Sequence, residues 1–158
     1  FIGFSIGTTP IVGYHYGAGN QDELKSLFSK CIKLVVGTGI GLTLLAGIFS
    51  APLVNIFASY DKELFTMAYH GFRLYSIAFM LMGINIWGSA FFTALNNGVV
   101  SATISLLRTL VFQVIAILIL PIFFGINGIW LAVVFSEVLA LFVTITFLIK
   151  NKSKYLYV

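Results

Sequence analysis

Residues 109–136 read TLVFQVIAILILPIFFGINGIWLAVVFS, a run without a single Asp, Glu, Lys or Arg. A helix crossing the hydrocarbon core of a bilayer needs about 20 mostly apolar residues. This run exceeds that length and carries its own break. Pro121 is followed by Gly125-Ile126-Asn127-Gly128, the chemistry of a turn. It therefore reads as two antiparallel spans meeting at a hairpin. The same pattern extends outward. Residues 1–21, 34–60 and 74–107 are also free of formal charge, and Glu137 is the only charged residue between 109 and 149. Asn96-Asn97-Gly98 divides the window at 74–107. Helices are expected at about 1–17, 31–57, 67–95, 100–122 and 127–149. The fold class is all-α, a polytopic transmembrane bundle of about five spans, the first of them truncated. Residues 1–150 form the membrane lobe and 151–158 a basic cytoplasmic tail. The runs do not alternate as outer-membrane strands would.

Composition agrees. Of the 158 residues, 59% are apolar and 9% charged, against about 45–50% and about 25% in soluble domains. Mean hydropathy is +1.05. A soluble enzyme and a disordered chain are both excluded. The net charge of +4 is topological and gives no reason to expect nucleic acid, because the lysines gather at segment ends. Lys25, Lys30 and Lys33 follow the first span, and Lys150, Lys152 and Lys154 close the chain. The positive-inside rule puts these segments and the Asn96 turn in the cytoplasm. Lys62 and Arg73 lie on the outer side. The third span is long: 29 residues rise about 43 Å against a core of about 30 Å, which leaves His70 and Arg73 in an interfacial extension. Cys31 has no partner for a disulfide and reads as a small apolar filler. Phe1-Ile2-Gly3-Phe4 is already apolar, with no charged region before it, so no signal peptide is read there. The expectation is a fragment cut inside a span, since five spans do not make a pseudo-symmetric transporter.

No catalytic set is present: no serine–histidine–acid trio, metal-spaced histidines or phosphate loop. His15 and His70 fall near opposite membrane faces. The densest local signature is Pro10-Ile11-Val12-Gly13-Tyr14-His15-Tyr16-Gly17-Ala18-Gly19-Asn20. Pro10 removes a helix hydrogen bond and can kink the span. Gly13, Gly17 and Ala18 permit close approach of a neighbouring helix. Gly19 and Asn20 tolerate a left-handed cap and end the helix. Asp22 is a candidate cap for a short surface helix beyond.

This segment resembles the motif that closes the second helix of each lobe in the multidrug and toxic compound extrusion (MATE) family, where a Pro and a Tyr-rich step precede Gly-Ala-Gly-Asn. Further similar blocks follow in order: Ser105-Leu106-Leu107-Arg108 opening a span that ends at Leu120-Pro121, then Phe124-Gly125-Ile126-Asn127-Gly128-Ile129-Trp130, then Ser136-Glu137. The resemblance covers essentially the whole chain. It implies the carboxy-terminal lobe of a twelve-helix transporter, from inside helix 8 to helix 12. It also implies a missing amino-terminal lobe as partner and a plasma-membrane location.

Ionisable groups inside a membrane are functional candidates by default. Glu137 and Gln113 each lie about ten residues from the outer ends of their spans, so they share a depth and can hydrogen-bond across the hairpin. Arg108 is about 7 Å nearer the cytoplasm; it can pair with Glu137 or snorkel. These three residues form a polar tie or a site for ion coupling. Asn85 lies near mid-membrane in the third span, which by resemblance is helix 10 and lines the central cavity. Some family members carry an acidic coupling residue in that helix, but here Asp and Glu are absent from 64 to 136. Tyr75, Phe79, Met82 and Phe91 recur around Asn85 as a Met/aromatic stripe. It reads as packing, or as an adaptable wall for apolar cations.

The resulting expectation is a non-enzymatic, secondary-active exporter of amphipathic or cationic compounds. It needs no cofactor beyond a coupling ion, H⁺ or Na⁺, and a bacterial inner membrane fits the short tail and Lys-rich loops. A lipid-linked oligosaccharide or polysaccharide flippase of the same superfamily and a non-transporting membrane subunit are the alternatives.

Overall fold

A computed structural model describes all 158 residues, Phe1–Val158. The chain is helical throughout, with no strand. In order it forms α1 (Ile2–Gly17), α2 (Gln21–Ala58), α3 (Lys62–Ser76), α4 (Phe79–Ala94) and α5 (Gly98–Leu106). A π-helical turn (Leu107–Phe112), α6 (Gln113–Phe124) and α7 (Ile126–Tyr155) complete it. Helix α4 is the axis of the bundle, packing on α1, α2, α5 and α7, while α3 lies on α2 and α7, and α6 pairs with α7. Three helical runs, 21–58, 98–124 and 126–155, are long and apolar enough to cross a bilayer. Helices α3 and α4 make a fourth when taken as one span bent by 46°. The 16 residues of α1 rise only about 24 Å, less than the roughly 30 Å of a bilayer core.

The second span differs from expectation at its start. No separate surface helix precedes it, and Asp22 is not the cap. Asn20 is: its Oδ1 accepts from the Glu23 N–H at 3.2 Å, and α2 runs unbroken from Gln21 past Pro52 to Ala58. Two features make the helix continuous. Asp22 and Glu23 occupy its first turn, where acidic groups favour the helix dipole. Leu24, Cys31, Val35, Gly39 and Ala46 then bury one stripe at helical spacing, leaving no reason to break at 30. An added Cβ on Gly39 would lie 3.0 Å from the Phe79 carbonyl oxygen, so α2 and α4 cross nearly backbone to backbone.

The third span is broken, although neither glycine nor proline marks the joint at 76–79. Hydroxyls do it. Ser76 Oγ donates to the Arg73 carbonyl at 2.8 Å, and Thr43 of α2 donates to the Ser76 carbonyl at 3.2 Å. Serine back-bonding of this kind bends helices. The Ala78 and Met80 N–H groups turn to the carbonyls of Tyr75 and Ile77, three residues back. His70 and Arg73 lie exposed on α3.

The hairpin between α6 and α7 depends on two glycines. Gly125 takes φ +56°, and a side chain on Gly128 would collide with the Leu120 carbonyl. Beyond it, α7 passes the expected end at 149 and reaches Tyr155. The basic tail is therefore mostly helix. Leu156 turns left-handed (φ 54°), which carries Tyr157 back so that its hydroxyl donates to the Leu148 carbonyl at 2.6 Å. Tyr157 enters an aromatic core with Phe28 (ring centroids 4.8 Å), Phe91 (5.0 Å) and, beyond them, Trp87 and Phe92.

Candidate functional site

Asn85 on α4 is fully buried, and the Glu137 side chain on α7 is 4% exposed. A carboxylate in such a place must be matched almost completely, and it is. Arg108 reaches it from the π turn. Arg108 Nη2 lies 2.7 Å from Glu137 Oε1, and Nε lies 2.8 Å from Oε1 and 3.0 Å from Oε2. Asn85 Nδ2 donates to Oε2 at 2.8 Å and to the Glu137 backbone carbonyl at 3.0 Å. Thr144, seven residues along α7, donates to Asn85 Oδ1 at 3.0 Å. The centre thus ties α4, α7 and the π turn together through one carboxylate and one amide.

The expected Gln113–Glu137 hydrogen bond is not formed. Gln113 Oε1 instead accepts from Ser136 Oγ at 2.7 Å. Successive residues on a helix point about 100° apart, so Ser136 faces α6 while Glu137 turns to α4 and Arg108. Arg108 pairs rather than snorkels. From the π turn, where Thr109 Oγ1 donates to the Ser105 carbonyl at 2.7 Å, the long Arg108 side chain reaches a carboxylate that depth alone places several ångströms away. π-bulges concentrate at functional sites. The sequence reading kept Asn85 apart from this group and missed Thr144. The available signal was spacing: Thr144 and Glu137 are two helical turns apart on one face.

The Met/aromatic set does not form one surface. Tyr75 and Phe79 meet edge to face at 5.7 Å across the joint between α3 and α4. Tyr75 borders an apolar recess of about 420 Å³ with Leu53, Phe57, Phe72 and Trp130. Phe91 is 1% exposed and stacks on Trp87 at 4.9 Å inside the aromatic core, so it lines no cavity. Met82 is half-buried. The bend breaks the helical phase on which a continuous stripe depends.

The Pro10–Asn20 segment divides likewise. Helix α1 runs through Pro10 to Gly17 without interruption. Gly13 meets α4, where an added Cβ would lie 3.4 Å from the Ala94 carbonyl, whereas Gly17 has open space around it and is no packing contact. Gly19 takes the left-handed turn (φ +68°), and the Asn20 N–H ends α1 by donating to the His15 carbonyl at 3.0 Å; Asn20 itself is not left-handed (φ −82°), and its side chain caps α2. His15 and His70 sit on α1 and α3, in no shared cluster.

A second cavity, of about 450 Å³, opens between α1, α4 and α5. Ser5, Thr9, Ser89, Thr93, Ser101 and Ser105 line it, with Asn85 and Arg108 at one end. Ser89 Oγ lies 3.0 Å from Ser101 Oγ and 2.8 Å from Ser105 Oγ, and Thr93 Oγ1 lies 2.7 Å from Ser101 Oγ. The charged centre therefore has one polar, accessible edge.

The MatE family model matches residues 1–119, which include Asn85 and Arg108. Glu137 and Thr144 lie beyond the matched segment. No curated protein and no solved structure matches the chain.

Proposed function

The chain belongs to the MatE family of membrane transporters, and from that premise we propose that it is one lobe of a secondary-active exporter of amphipathic, often cationic compounds, driven by an inward H⁺ or Na⁺ gradient. Two lobes rock about a central cavity; this chain supplies one wall, and an amino-terminal lobe the other. A bacterial inner membrane suits the Lys-rich cytoplasmic segments. The observation that carries the reading is the buried Asn85–Glu137–Arg108 centre, since a carboxylate held deep in a membrane bundle marks ion or substrate pathways. The adjoining polar cavity gives that centre access to water. Asn85→Ala and Glu137→Gln in the full-length protein are expected to lower ethidium efflux at normal membrane levels. Unchanged efflux in both removes the centre from the mechanism.

A flippase for lipid-linked saccharides is the second reading. Arg108 at the edge of the hydroxyl-lined cavity favours it, because such cargo carries phosphate. Loss of envelope polymer in a deletion strain with unaltered drug tolerance would rank it first.

A further inference from the structure

We infer that Gly88 and Thr144 are positioning residues for the coupling group: between them they fix the Asn85 amide in the one orientation that holds Glu137 as a carboxylate. This rests on the transporter reading, with Glu137 as the group that takes the coupling proton, and names what sets its protonation. Three observations support it. First, the amide has one chemically admissible orientation. Its Nδ2 donates to two acceptors, Glu137 Oε2 at 2.8 Å and the Glu137 carbonyl at 3.0 Å, while Oδ1 accepts from Thr144 Oγ1 at 3.0 Å. Turned over, the amide would set its own oxygen against a carboxylate and a carbonyl, neither of which can donate.

Second, Thr144 is diverted from the bond that a helical threonine ordinarily makes. Such hydroxyls donate to the carbonyl one turn back, and Thr103, Thr109 and Thr146 do so at 2.7–2.8 Å. Thr144 is fully buried and bonds Asn85 alone. If the amide turned over, this hydroxyl would lose its one acceptor, and an orphaned buried donor is costly. Third, Gly88 holds Thr144 to that bond. A Cβ on Gly88 would lie 2.5 Å from Thr144 Cγ2 and meet no other residue within 4 Å. The threonine methyl therefore occupies the notch where α4 lacks a side chain, three residues from Asn85 on the same face. Helical threonine has two χ1 wells, and the notch selects the one that aims the hydroxyl at Asn85.

The consequence for Glu137 is a bias towards its charged form. A proton on Oε2 would point at Asn85 Nδ2, donor against donor. Relief requires the amide to turn and Thr144 to give up its bond. Arg108, from the π turn, is the one charged group facing Glu137 and favours the same form. Helix α4 presents the neutral Asn85, and α6 presents Gln113 to Ser136 instead. Helix α5 carries no charge, and the charged residues of α3 are exposed.

The test uses the full-length transporter in lipid nanodiscs. Infrared spectra against pH follow the carboxylic C=O band that Glu137→Gln removes, and its midpoint reports when Glu137 takes a proton. Gly88→Ala evicts the Thr144 methyl and should raise that midpoint by about one pH unit, the worth of one hydrogen bond to a charged group. Thr144→Ser, which no longer fills the notch, should raise it less. The double variant Gly88→Ala/Thr144→Ser moves the methyl from α7 to α4, refills the notch and keeps the hydroxyl, so its midpoint should return to that of the parent. Where Gly88→Ala does not fold, Thr144→Val decides: it keeps the shape, lacks the hydroxyl and should raise the midpoint in the same direction. Thermal unfolding is followed alongside. A role in packing alone would lower the melting temperature of Gly88→Ala and leave the midpoint in place. An unmoved midpoint, a double variant no closer to the parent than Gly88→Ala, or a Glu137 band that appears in no variant overturns the inference. Ethidium efflux in Asn85→Ala and Glu137→Gln reports on the transporter reading separately, so either can fail alone.

Discussion

The buried polar centre and the aromatic core share helix α4 and are held together by different means. Around Trp87, Phe91, Phe92 and Tyr157 the rings sit at 4.9–6.2 Å from one another, and cohesion is the sum of many weak dispersion contacts. Around Glu137 it rests on a few bonds, each with one donor and one acceptor. An aromatic core loses stability in proportion to what is removed. A polar centre fails abruptly when one partner goes, because the group left behind is buried and unmatched. The first kind of region gives the bundle its shape, and the second makes its integrity depend on single partners.

Removing one charge should separate the two regions most sharply. Arg108→Leu is expected to destabilise the lobe by about 4 kcal/mol, since Glu137 is left buried without its cation. Arg108→Leu combined with Glu137→Gln should recover most of that loss. Thermal unfolding of the full-length protein in detergent measures both, and a double variant no better than the single would show that packing, not charge, holds the centre. Next comes Phe91→Ala, at about 3 kcal/mol from the cavity it leaves. Its loss should scale back through Phe91→Leu, a graded response that the polar centre should not show.

Asn85→Ala should cost about 1–2 kcal/mol, because Thr144 and one Glu137 oxygen lose a partner while Arg108 stays. Gln113→Leu should cost least, about 0.6 kcal/mol, a typical interhelical hydrogen bond in a membrane. A Gln113 effect as large as that of Asn85 would place Gln113 inside the centre after all.

The aromatic end offers its own titration. Burial, with the neighbouring Tyr155 adding to it, pushes the Tyr157 hydroxyl up to about 12. The unfolded chain would ionise near the ordinary value of 10. The folded state holds its proton longer, so the contribution of Tyr157 is complete below pH 10 and falls as pH rises towards 12. Absorbance of tyrosinate should show a late-titrating group that Tyr157→Phe removes.

The spans, the hairpin at Gly125–Gly128 and the membrane class were legible because they depend on charge-free length and on turn residues, both written locally. The Arg108–Glu137 pair was half legible: both residues stood out as intramembrane charges, but their depths differed. The Arg108 side chain is long enough to bridge the gap, and it does so from a π turn that the composition of Leu107–Phe112 does not announce. The bend at Ile77–Ala78 was invisible for a related reason: no glycine or proline marks it, and of the two hydroxyls that bond there, Ser76 and Thr43, the second comes from another helix. Asn85 was singled out but left alone, because the partner of a lone amide is a tertiary fact. The cavity hydroxyls passed as ordinary small residues. Ser5, Thr9, Ser89 and Ser101 belong to three helices, and only packing collects them.

The π turn also bears on the arithmetic of insertions and deletions. A π turn holds an extra residue relative to the α-helix around it. Deleting one residue between Leu107 and Phe112 would let the segment relax to ordinary helix with α6 and the Gly125 hairpin still facing α7. Elsewhere in a continuous span, losing one residue turns everything beyond it by about 100°. Span 98–124 therefore contains a site where chain length can change by one while the helix pair survives. The casualty would be the bearing of Arg108, and with it the ion pair.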